Sequence, residues 1–175
     1  MNKFITFEEA IELLYRTGCS SSVIQHCRVV SRLAVKLARK LKRNGTDVDV
    51  RLVTIGGLLH DIGRSKTHKI DHGVVGATII HSFGLPISIV QIVERHIGSG
   101  IPAEEAVELG LPNKDLIPET LEEKIVSYAD KLIEGDREIS FDEALKKLRD
   151  DLGEFHPAVK RFEKAHSELF QKLGE

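Results

Sequence analysis

Apolar residues recur along this chain at the spacing of one α-helix face, and no run alternates well enough to be a sheet strand. Thr6-Phe7-Glu8-Glu9 has the form of a capping box and opens a first helix that Gly18 closes. Ser22-Val23-Ile24-Gln25 has the same form and opens a long helix running to about Asn44-Gly45. Further helices are predicted at about Asp49–His60, Asp71–Phe83, Pro86–Ile97, Glu119–Glu134, Phe141–Leu152 and Pro157–Leu173, with a short one at Ala103–Leu109. Glycine and proline punctuate the joints, as at Gly84-Leu85-Pro86 and Gly110-Leu111-Pro112. The fold class is all-α. With 175 residues, 41% of them hydrophobic, the chain is long enough to bury a core as one compact domain.

Certain polar residues lie on the apolar stripes of these helices. His26 is in line with Val23, Val30, Leu33 and Leu37, and Asp130 falls between Val126 and Ile133. His72 leads Val75, Gly76 and Ile79, and His96 follows Ile89, Ile92 and Val93. His60-Asp61 ends the run Leu52, Val53, Ile55, Leu58, Leu59, placing an imidazole and a carboxylate together at a helix mouth. Any one of these histidines, alone, reads more readily as a core residue with a hydrogen bond than as a ligand. A buried carboxylate without a partner costs several kcal/mol, so Asp130 requires a cation, and no Lys or Arg shares the stripes.

A shared metal ion meets all these requirements. Imidazole plus carboxylate without cysteine suits Mn, Fe, Co, Ni or Zn better than Ca or Mg. His26, His60, Asp61 and Asp130 would supply four ligands and leave positions open for water and substrate. His72 and His96 would hold a second ion with Asp61 bridging, so one or two ions per chain are expected. A metal lowers the pKa of its bound water and makes hydroxide available near neutral pH.

His26, then His60-Asp61, then Asp130, on successive helices of a small all-α domain, resembles the HD superfamily of metal-dependent phosphohydrolases, and His60-Asp61-Ile62-Gly63 matches its HDIG subgroup. The resemblance covers about residues 22–135 and makes the helices at about 140–173 an extension. It implies that the four residues hold metal, and that His72 and His96 stand where dinuclear members carry two further histidines. The chain departs from cyclic-dinucleotide phosphodiesterases of the superfamily, which carry a His-His-Glu run followed by Gly-Tyr-Pro. Here the stretch reads Glu94-Arg95-His96-Ile97 and then Gly98-Ser99-Gly100-Ile101-Pro102, which argues against a cyclic di-GMP enzyme. The chain also resembles, more loosely, small HD hydrolases that cleave dinucleoside polyphosphates.

Arg64, Ser65, Lys66 and Lys69 follow the metal pair, and Arg64, Lys66 and Lys69 are candidates to hold a phosphate, arginine through a bidentate grip. Lys131, beside Asp130, and Arg95, beside His96, are further candidates for substrate contact. His68 reads as solvent-exposed or as facing substrate, and His81, His156 and His166 as structural or surface residues. No GxxxxGK loop and no GxSxG elbow occurs, so the catalytic assignment falls on Asp61, Arg64 and Lys66.

The expected function is hydrolysis of a small phosphate ester, a nucleotide or dinucleotide, by a metal-activated water. Two other classes fit the same ligands: a di-iron oxygenase, which oxygen consumption would reveal, and a nucleotide-sensing module, which would bind without turnover. With 25 basic and 27 acidic residues, overall charge gives no case for long nucleic acids or membranes. No segment reaches the roughly 18 uninterrupted apolar residues of a membrane span. The opening Met-Asn-Lys-Phe-Ile-Thr-Phe-Glu-Glu turns acidic too soon for a signal peptide. Cys19 and Cys27 show no metal or disulfide spacing and read as reduced thiols of a cytoplasmic protein. A homodimer is compatible with this reading.

Overall fold

The computed structural model describes residues 5–174, and part of the N-terminal segment weighed as a signal peptide, residues 1–4, lies outside them. The helices are α1 (Phe7–Thr17), α2 (Ser21–Arg43), α3 (Val50–Leu59), α4 (His72–Ser82), α5 (Ile87–Arg95), α6 (Ala103–Glu108), α7 (Leu121–Lys131), α8 (Phe141–Leu152) and α9 (Pro157–Leu173). A two-stranded antiparallel ribbon, β1 (Ile133–Glu134) and β2 (Arg137–Glu138), follows α7.

The caps explain most boundaries. Thr6 and Glu9 form the expected capping box, and Gly18 closes α1 in the left-handed region at φ 91°. Ser140 and Glu143 form a second box at the start of α8. At α2 the expectation is corrected by two residues. Ser20 is the cap and accepts from Val23 N, whereas Ser22 lies in the first turn and bonds Ser20 Oγ.

The expected helix over 119–134 is also corrected: α7 is capped by Thr120 and stops at Lys131. Gly135, at φ 63°, then turns the chain into the ribbon, with Ile133 paired to Glu138.

The apolar interior has two main regions. One gathers α2, α3 and α7 with Phe162, Leu169 and Leu173 of α9. The other gathers α1, the start of α2, the end of α3, α4 and α5. α2 is the central element, packed against α3 along its length and against α7. Ile24 and Cys27 belong to one region and Val30 to the other, so His26 lies at the seam. No helix among the described residues is long and apolar enough to cross a membrane.

Candidate metal centre

Four chain segments meet at this seam. α3 ends at His60, and Asp61 leads into a single 3₁₀ turn, Ile62–Ser65. That turn lies against the start of α4: a Cβ on Gly63 would stand 1.9 Å from the His72 carbonyl oxygen and 2.7 Å from Gly76 N. Only a residue without a side chain permits this approach, and it sets His72 beside Asp61. His96 follows the last residue of α5, and Asp130 occupies the last turn of α7.

The four imidazoles are held alike. His60 Nδ1 donates to Gly57 O at 2.8 Å, His72 Nδ1 to Lys69 O at 2.7 Å, and His96 Nδ1 to Val93 O at 2.8 Å. His26 Nδ1 donates to Gly135 O, in the ribbon turn, at 3.0 Å. A carbonyl oxygen only accepts, so each Nδ1 carries a proton and each ring turns its Nε2 to the centre, where it can bind a metal ion once it is free of a proton.

The carboxylates stand among those Nε2 atoms. Asp130 Oδ1 is 3.0 Å from His26 Nε2 and 3.4 Å from His60 Nε2. Asp61 Oδ1 is 3.1 Å from His72 Nε2 and 3.5 Å from His96 Nε2, while its Oδ2 accepts from Arg64 Nε at 2.6 Å. His72 Nε2 and His96 Nε2 face each other at 3.2 Å. His60 is fully buried, and its Nε2 has no hydrogen-bond partner.

An orphaned imidazole nitrogen, two opposed Nε2 atoms and two carboxylates in one pocket repel one another unless protons or metal ions lie between them. The donor set therefore fits one or two metal ions. Ligand atoms of His26, His60 and Asp130 lie within 4.8 Å of one another, as do those of His60, Asp61 and His96.

The charges respond accordingly. Burial opposes protonation of His60, but the neighbouring Asp61 and Asp130 carboxylates outweigh it and push its pKa up to about 9. At 3.4 Å the pull of Asp130 on His60 is electrostatic rather than a formed hydrogen bond. Burial holds His96 below the ordinary imidazole value. Burial works to raise the Asp61 and Asp130 carboxyls, yet the histidines facing them keep both well below the usual range.

A cleft of about 490 Å³ opens onto the centre, lined by Ser20, Gln25, His26, Asp61, Arg64 and His68 among others. Arg64, a candidate from the sequence to hold a phosphate, is bound to Asp61 while lining this cleft. His68 also lines it, and Lys66 and Lys69 are exposed on the same loop. Lys131 adds positive charge beside Asp130. Arg95 is committed elsewhere, bridging Glu119 at 3.0 Å and the buried Glu123 at 3.1 Å.

Sequence reasoning passed over two supports. Gly135 orients His26, and the Gly135-Asp136 pair just past the end of α7 was the available turn signal. Ser127 Oγ donates to the His96 carbonyl at 2.8 Å, and its place one turn before Asp130 was the available signal.

The comparisons agree with this geometry. The HD domain model matches residues 23–135, the segment from the start of α2 to the turn that orients His26. An uncharacterized protein of Methanocaldococcus jannaschii is 53% identical over 155 residues, covering 89% of this chain and 91% of that protein. The tRNA (cytidine(56)-2'-O)-methyltransferase of Thermoplasma volcanium is 42% identical over 165 residues, or 94% of this chain. That stretch is 47% of the methyltransferase, so the chain spans about half of it. The HD domain of the L. monocytogenes phosphodiesterase PgpH, solved with cyclic-di-AMP, shares the fold at a TM-score of 0.59 and 17% identity, with 95% of each chain covered. With the matched segment bringing His26, His60-Asp61 and Asp130 to one pocket, this chain belongs to the HD domain family.

Proposed function

We propose that this protein is a metal-dependent phosphohydrolase acting on a phosphate ester of nucleotide type. The observation that carries the reading is the shared orientation of four imidazoles, each pinned through Nδ1 and each aiming Nε2 at the Asp61 and Asp130 carboxylates. His26, His60, Asp61 and Asp130 would hold one divalent transition metal, and His72 and His96, sharing Asp61, a second. Metal bound there supplies Lewis acidity toward a phosphate and a lowered pKa for water.

The chain's own residues complete the site. Arg64 fixes the Asp61 carboxylate through Nε, which leaves the rest of its guanidinium to meet an anion in the cleft. Lys66 and Lys69 extend the positive potential outward from the cleft, and Lys131 offsets the negative charge of Asp130. His68, at the cleft wall, would face a bound substrate. Arg95 supports the start of α7 through Glu123 rather than the substrate. α8 and α9 share one apolar cluster with α2 and α7, which supports a single folding unit with a C-terminal extension.

The relative named for a tRNA modification favours a second, narrower reading, in which the phosphate ester is borne on RNA. The test is a panel of mononucleotides, dinucleotides and terminally phosphorylated RNA oligomers, assayed with Mn, Co, Ni and Fe. Metal-dependent release of phosphate or nucleotide is expected. No turnover of any member with any metal would overturn the phosphohydrolase reading.

A further inference from the structure

The centre uses one face of α2, and a second face carries an unrelated feature. Arg28, Arg32, Lys36, Arg39 and Arg43 recur at three- and four-residue spacing and are all exposed. They line a groove of about 600 Å³ whose remaining wall is Phe7, Ser31, Val35 and Thr54, without a single acidic side chain. Its floor is rigid because α2 and α3 cross closely there: Ser31 Oγ donates to Thr54 O, and Gly57 lies against Ser31 Cα.

These cations are largely unanswered. Among the described residues Arg28, Arg32, Arg39 and Arg43 form no ion pair. Lys36 meets Glu138 at 3.9 Å with both side chains largely exposed, a contact of little strength. The chain as a whole carries −2, so the groove is a positive strip on an otherwise acidic surface. Overall composition conceals it.

We propose that this groove docks a single strand of RNA by its phosphate backbone. The five cations extend over about 22 Å at the helical rise, roughly one per turn, as a strand's regularly repeated charges require. Two exposed aromatic side chains, Phe7 at 43% and Tyr15 at 58%, stand on α1 beside Arg28 and offer faces on which unpaired bases stack. Glu8 and Glu12 line that same notch and bias it toward bases rather than phosphates. Gln25 continues the strip by one turn and lines the metal cleft, so a strand lying along α2 reaches the centre. An anionic membrane fits poorly, because the apolar face of α2 is buried in the core and has nothing to insert. The choice of RNA over DNA rests on the RNA-borne substrate proposed above.

The test is fluorescence anisotropy of an end-labelled 20-nucleotide single-stranded RNA titrated with the full chain at several salt concentrations. Binding should weaken with salt, the slope of log K falling by about 1.4 in Arg32→Ala/Arg39→Ala, at about 0.7 per phosphate contact. That double variant should bind at least about ten-fold more weakly at low salt, and Tyr15→Ala about five-fold or more. Both variants should hydrolyse a mononucleotide ester as the wild type does, which separates failure of the groove from failure of the centre. The proposal is overturned by absence of binding at low salt, or by variants that bind as the wild type. It is equally overturned by tighter binding of duplex, of DNA of the same sequence, or of anionic phospholipid vesicles.

Discussion

His72 Nε2 and His96 Nε2 face each other at 3.2 Å while each ring's Nδ1 donates to the carbonyl three residues before it. With both Nδ1 atoms donating outward, the two Nε2 atoms can meet in this buried pocket only by sharing a proton or a metal ion. The protein should therefore gain stability from metal. Chelation followed by calorimetry should lower the Tm, and Mn, Fe, Co, Ni or Zn should restore it more fully than Ca or Mg. An unchanged Tm across chelation and reloading would contradict this.

Protons compete with metal at His60. Its pKa of about 9 in the metal-free pocket means that metal must displace a proton at neutral pH. Apparent metal affinity should rise by about ten-fold per pH unit and level off near pH 9. Stability should show the opposite sign without metal. A pKa raised above the unfolded value of 6.5 contributes stability below that pH and loses it as pH rises through about 9. The chelated protein should therefore lose Tm between these pH values, and the metal-loaded protein should not. Parallel pH profiles for the two forms would sink the assignment.

Gly63 is the most vulnerable backbone position near the centre. Gly63→Ala drives a Cβ into the His72 carbonyl, which is backbone and cannot swing aside. Overpacking of this kind costs about 1–3 kcal/mol. Because the displaced element is the start of α4, metal content should fall along with Tm. A stable Gly63→Ala protein with full metal would show that the approach of the 3₁₀ turn to α4 is not what positions His72.

Arg64 couples the centre to its cleft. Loss of a charge-assisted contact is worth about 1.5–3 kcal/mol, so Arg64→Ala should lower kcat/KM by roughly ten- to a hundred-fold. Arg64→Lys should not restore it, since lysine is a point charge and cannot hold Asp61 and an anion together. Lys66→Ala should act more weakly. Steady-state kinetics on an active ester checks all three, and wild-type values throughout would remove this loop from the reaction.

The elements most legible in the sequence are those with local chemical signals. α8 and α9 match their expected limits because Ser140 caps one and Pro157 opens the other. The convergence of His26, His60, Asp61, Asp130, His72 and His96 was legible because each lies on or ends an apolar stripe, and a buried carboxylate needs a cationic partner that those stripes do not supply. The ribbon was not, because strands of two residues are too short to alternate. The Arg64–Asp61 pair was hidden by a 3₁₀ turn, where residues three apart meet outside any helical stripe. The misplaced α2 cap came from three adjacent serines, any of which could have served. Balanced totals masked the basic groove, since charge segregation appears only when helix faces are compared.

The central claim is that this pocket holds transition metal, and elemental analysis of protein purified without chelators tests it most directly. Wild-type protein is predicted to carry at least one transition metal per chain, while Asp61→Ala, which removes the carboxylate shared by His72, His96 and Arg64, is predicted to carry essentially none. Wild-type protein without metal after reloading, or Asp61→Ala with the full wild-type content, would contradict the account.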